Sequence, residues 1–139
     1  MYRHTRLFRA IAVPCIAIAC CCLIACRPEQ RIQLVQEESF FSGYERKGET
    51  VTLTCYLTFD NPYSSAIEVN VYGDFSQDVE HGLLKEAVLI GLCDGEELLV
   101  LAPGKTGVYV TFAGEYGVMP QRYNRELPGI DVQLVEPEA

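Results

Sequence analysis

Nine consecutive residues, Val51-Thr52-Leu53-Thr54-Cys55-Tyr56-Leu57-Thr58-Phe59, alternate with period two between apolar and hydroxyl-bearing side chains. A helix repeats its faces every 3.6 residues, so only a pleated strand can use this pattern. It sets Val51, Leu53, Cys55, Leu57 and Phe59 on one face and Thr52, Thr54, Tyr56 and Thr58 on the other. β-branched and aromatic residues suit both faces of such a half-buried strand. Asp60-Asn61-Pro62 ends it, because proline restricts the residue before it and Asx side chains favour turns.

The same period recurs along the chain. Ile32 and Leu34 alternate with Gln33, and a loop containing Ser42, Gly43 and Gly48 is expected next. Ile67, Val69 and Val71 alternate with Glu68, Asn70 and Tyr72. Residues 76–85 are irregular, a loop or one helical turn. Two apolar runs, 87–92 and 97–102, flank Cys93-Asp94-Gly95-Glu96, where Asp-Gly is a strong hairpin signal. Pro103-Gly104 suits a type II turn. Val108, Val110 and Phe112 then oppose Tyr109 and Thr111. Residues 114–128, punctuated by Gly117, Pro120 and Pro128, read as a long loop. Ile130, Val132 and Leu134 make a last strand.

About seven short strands with no convincing helix between them predict an all-β fold, a two-sheet antiparallel sandwich over residues 32–136, with a frayed tail at 137–139. Leu57-Thr58-Phe59-Asp60-Asn61-Pro62, Ile67-Glu68-Val69, Leu101-Ala102-Pro103-Gly104 and Val108-Tyr109-Val110 together resemble immunoglobulin-like domains of exported bacterial proteins. They also resemble, more distantly, the sandwich of the water-stress and hypersensitive-response domain, where a similar Asn-Pro follows an alternating strand. The resemblance implies an immunoglobulin-like sandwich and no particular activity. Unlike antibody-type domains, the chain has no Trp.

Ahead of this domain, residues 1–9 carry Arg3, Arg6 and Arg9 and no acid, and residues 10–25 form an uncharged run rich in Ala, Ile and Cys. The run is shorter than the roughly 20 residues a membrane-crossing helix needs and contains Pro14, which fits a signal segment better than an anchor. It ends in Leu23-Ile24-Ala25-Cys26, which resembles the lipobox of bacterial lipoproteins. The resemblance implies a signal helix cleaved after residue 25, a diacylglycerol on the Cys26 thiol, and a mature chain held on the extracytoplasmic side of the cell membrane. A competing site, Ala17-Ile18-Ala19-Cys20, has a poorer first position and would leave apolar residues 21–25 on the mature end. Otherwise Cys26 is simply the last of several cysteines acting as small hydrophobes. Two or more acyl chains anchor stably where one does so only marginally. Residues 26–31 then form a short tether.

Cleavage would leave eight basic residues against all nineteen acids, a balance of −11. No Lys/Arg cluster offers a surface for phosphates, so nucleic acid is not an expected partner. Two thiols remain besides the anchor, Cys55 and Cys93. Export allows a disulfide between them, yet Cys55 sits mid-strand and Cys93 at a turn, and a bridge needs Cα atoms about 4.4–6.8 Å apart. Separate thiols are the alternative. Metal binding by the pair is not expected without further ligands nearby.

Asp74, Asp78, Glu80 and His81 crowd the irregular stretch, and a metal-dependent activity would have to be built there, although the spacing and central Gly of an EF-hand loop are missing. No nucleophile motif accompanies His81. A solvated acidic loop is the plainer reading, as a surface salt bridge is for Arg122, Arg125 and Glu126. Tyr56, Tyr72 and Tyr109 all point away from the expected core. On neighbouring strands they would form an aromatic face suited to a protein or glycan partner, and otherwise they are ordinary cross-strand pairs. The expectation is therefore a lipid-anchored, non-enzymatic binding or accessory module without a cofactor. The alternatives are an assembly component pairing through its sheet edges, or an activity around His81.

Overall fold

A computed structural model describes residues 31–118 and 125–135 of the protein. The fold is all-β and antiparallel. Its strands are β1 (Gln33–Leu34), β2 (Phe40–Lys47), β3 (Thr50–Asn61), β4 (Ile67–Asp74), β5 (Val88–Leu92), β6 (Leu99–Leu101), β7 (Gly104–Glu115) and β8 (Gly129–Leu134). Between them lie a 3₁₀ turn at Gln36–Glu38 and one short helix, α1 (Ser76–Glu80). Among the described residues no helix is long and apolar enough to cross a membrane. The signal segment and Cys26 lie outside the described residues.

The alternating run becomes β3, the centre of one layer. β7 pairs with it over its whole length, from Thr50↔Glu115 to Asn61↔Gly104. On the other side of β3 lie β2 and, at its far end, β1. β4 is the centre of the second layer, with β8 on one edge and both β5 and β6 on the other. β5 joins the layers: Ile90 is paired to Tyr72 of β4, and the next residue, Gly91, to Phe112 of β7.

The expected faces hold. Val51, Leu53, Cys55, Leu57 and Phe59 of β3 and Val69 and Val71 of β4 are almost entirely buried, and Leu99, Leu101, Val110 and Phe112 join them in the core. Phe75 and Phe112 meet edge-on between the layers, ring centroids 5.1 Å apart. Burial of such side chains contributes about 1.5–3 kcal/mol each relative to exposure.

Two expectations are corrected. The loop expected around Ser42 and Gly43 is strand β2, in hairpin with β3. Its register slips between Phe41 and Gly43, so Phe41, Tyr44 and Arg46 share the inner face with Cys55, Leu53 and Val51. That bulge adds one residue and breaks the period of two from which a strand is recognised. The hairpin expected at Asp94-Gly95 exists only at its tip, where Cys93 and Glu96 pair and both central residues have positive φ, 51° and 80°. These suit a type I′ turn, for which Gly is the natural second residue. Beyond the tip, β5 and β6 each pair with β4 instead of with each other.

Candidate functional site

The outer face of the β3 layer carries an aromatic row. In an antiparallel sheet directly paired residues lie on one face, and Phe40, Tyr56 and Tyr109 are paired across β2, β3 and β7. Phe40 stacks on Tyr56 with ring centroids 5.3 Å apart, and Tyr56 meets Tyr109 edge-on at 5.0 Å. Phe40 is 51% and Tyr109 59% exposed. The Tyr56 ring lies over Gly107, where a Cβ would come 2.0 Å from the Tyr56 hydroxyl. Gly107 thus provides the space in which the central ring lies along the sheet. Around the row the β3 face carries Thr52, Thr54 and Thr58, and β7 carries Thr111, none of them charged.

Of the three tyrosines singled out in the sequence, the structure brings Tyr56 and Tyr109 together and sets Tyr72 elsewhere. Tyr72 belongs to β4, paired with Ile90 and Asp131. There it lines a hollow of about 520 Å³ with Val88, Asp131 and Gln133. Phe40 takes the third place in the row. Its membership was hidden with the rest of β2, since two adjacent phenylalanines ahead of Ser-Gly do not announce which one faces outward.

The thiols remain separate, and the candidate Cys55–Cys93 disulfide is not formed. β7 runs between β3 and β5, which puts the two backbones roughly two strand spacings, about 9.5 Å, apart, beyond the reach of a disulfide. Burial, with a smaller contribution from the Asp78 charge, pushes the Cys55 thiol from 9.0 up to about 12. Cys93, half-buried, is raised by burial and by Asp94. Neither thiol has the lowered pKa of a reactive cysteine.

The acidic stretch is dispersed by the fold. Asp74 accepts hydrogen bonds from the Ser76 backbone N–H at 3.0 Å and from its hydroxyl, contacts that hold its carboxyl below the usual range. Asp78 turns inward and accepts from Arg125 Nε at 3.1 Å, with 10% and 13% of the two side chains exposed. His81 caps α1 through its backbone N–H, which donates to the Gln77 carbonyl at 2.9 Å. Glu80 is exposed. Asp74, Asp78 and Glu126 line a hollow of about 200 Å³, and among the described residues no group of three or more His, Cys, Asp or Glu is placed to hold a metal ion.

Arg125 also lies over the Tyr44 ring at 4.1 Å and within 5.9 Å of the Phe41 ring. On the same face Arg46 covers the Tyr116 ring at 3.4 Å. The segment after β7 is thereby latched to α1 by one buried ion pair and to the inner face of β2 by three cation–π contacts. The surface salt bridge expected of Arg125 is a buried one, and Asp78 is its acid. Arg122 lies outside the described residues.

No family model matches the chain, and no curated protein or solved structure is significantly similar to it.

Proposed function

We propose that the chain is a lipoprotein of the cell envelope, anchored through lipid on Cys26, whose β-domain is a non-enzymatic binding module for a protein or glycan partner. The observation that carries the binding reading is the Phe40–Tyr56–Tyr109 row. Two of its three rings are exposed on a threonine-rich stretch of the outer face of a strongly acidic chain. Aromatic side chains offer large contact area at low entropic cost and are enriched where proteins meet partners.

The anchor reading rests on the basic start, the short apolar run and the four residues that end it. It bears on how the row works, because Gln33 already pairs with Asp60. Only seven peptide units separate Cys26 from that pair, at most roughly 25 Å of extended chain. The module would therefore engage partners close to the bilayer.

The test is capture from native envelope by the lipidated protein, with Cys26→Ala and a Phe40→Ala/Tyr109→Ala double variant beside it. A partner retained by the wild-type domain and lost from the double variant supports the reading. Undiminished capture by the double variant overturns the row as the binding face. Intact-mass measurement decides the anchor separately: a chain beginning at Cys26 with added acyl mass is expected, and an unmodified chain beginning at Met1 overturns it.

A further inference from the structure

The sheet has several outer edges, and natural sheets blunt such edges because unpaired N–H and C=O groups recruit other strands. β1 and β6 are two and three residues long. β2 is bent by its bulge and carries Glu45-Arg46-Lys47, and β8 carries Asp131 at its middle. β7 differs. Among the described residues β5 covers only Thr111 and Phe112 of its outer edge, while Lys105 to Val110 pair solely with β3. That open stretch reads Lys-Thr-Gly-Val-Tyr-Val, with no proline, no register shift against β3 and no charge after its first residue.

We propose that this edge pairs with the same edge of a second copy, antiparallel, with the two-fold axis at Gly107. In that register Lys105 of each copy lies beside Tyr109 of the other on the outer face, Thr106 lies beside Val108, and the two Gly107 residues meet. The edge is self-complementary only about this centre: moving the axis by one residue sets Tyr109 against Gly107 or Lys105 against Gly107. Each Lys105, which also meets Glu38 of its own chain at 3.4 Å, lies against the other copy's Tyr109 ring, and no like charges are opposed. Each aromatic row, Phe40–Tyr56–Tyr109, then ends on the other copy's Lys105, the two rows lying side by side, offset along the paired edges.

The entry of the chain agrees with this arrangement. Gln33 pairs with Asp60, and Asp60 with Lys105, so each copy enters its sheet two residues from the axis. From strand rise and spacing the two entry points are on the order of 28 Å apart. Tethers of the length between Cys26 and Gln33 bring both lipids to one bilayer, and the shared membrane raises the effective concentration of one copy for the other. The edge argument stands without the lipid; the tether adds only the concentration.

The register is tested in cells with the full chain, through Lys105→Cys and Tyr109→Cys variants expressed singly and together under a mild oxidant. Residues directly opposite in an antiparallel pair have Cα atoms about 4.5–5.5 Å apart, within disulfide range. A crosslinked species of doubled mass is expected on co-expression and not from either variant alone. No crosslink in any sample, or equal crosslinking by single variants, overturns the proposal.

The purified full chain in detergent gives a second reading. Tyr109→Lys, which opposes two lysines, should be monomeric, while Tyr109→Glu should stay dimeric through Lys105. Both variants lose the ring, so equal behaviour overturns the pairing. A monomer that still captures an envelope partner through the aromatic row overturns the pairing alone and leaves the binding function standing.

Discussion

Asn61 is 2% exposed, and its side chain fastens the end of β3 at three points. Its Nδ2 donates to the carbonyls of Ser65 and Leu101, both at 3.0 Å, and its Oδ1 accepts from the Tyr63 N–H at 2.9 Å. Truncation leaves the buried Leu101 carbonyl without this donor, and a lost buried partner costs about 1–3 kcal/mol. Asn61→Ala should therefore lower the urea midpoint by an amount worth about 2–3 kcal/mol, with the slope of the transition unchanged. The turn itself was legible from Asp60-Asn61-Pro62, since each residue type there has a local reason to end a strand. The bond to Leu101 was not, because it joins residues forty positions apart and depends on β6 lying beside β4. Tyr56 and Tyr72 show the same divide. Local period told which way each ring points, and only strand order told that they belong to different layers.

Strand order turns on β5. Between Ile90 and Gly91 it leaves β4 for β7, and at Gly91 the backbone passes so close to the core that a Cβ would lie 2.5 Å from Val110 Cγ1 and 3.1 Å from the Phe112 ring. Gly91→Ala is expected to destabilise by about 1–3 kcal/mol through overpacking. Gly129→Ala is a fitting control, since its Cβ would meet only Asp74 Cβ at an ordinary 3.6 Å, and it should be close to neutral in the same thermal or urea unfolding measurement. Strands that keep a clean alternation, β3, β4, β7 and β8, were readable from sequence. β2 was not, because its bulge changes the face on which residues fall after Ser42. The divergence of β5 and β6 was also hidden: a two-residue Asp-Gly turn specifies how a chain reverses and leaves open which strands its two arms pair with.

For the molecule as a whole, the buried Cys55 thiol makes stability depend on alkaline pH. Its folded pKa of about 12 lies above the 9.0 of the free thiol, so above pH 9 the unfolded chain gives up a proton that the native state keeps. The contribution is fully present below pH 9 and falls as pH rises from 9 to 12, by up to about 1.36 kcal/mol per pH unit. Comparison with Cys55→Val isolates it: the wild-type chain should lose more stability than the variant across that window, and parallel pH curves would contradict the assignment. The latch of Arg125 on Asp78 ties the other end of the chain into the same unit. Removing only the arginine takes its charge away from a nearly buried carboxylate, and Arg125→Ala should cost up to about 3–5 kcal/mol in global unfolding. The pairing of β3 with β7 also governs when folding can occur. Thr50 finds its partner at Glu115 and Asn61 at Gly104, and topologies dominated by such distant contacts fold in milliseconds to seconds. A chain made from its amino end cannot close its core until residue 115 is available, so β2 and β3 wait as an unfinished hairpin. The late-arriving partner strand thus acts as a timer, holding the core open until nearly all of the sheet is present.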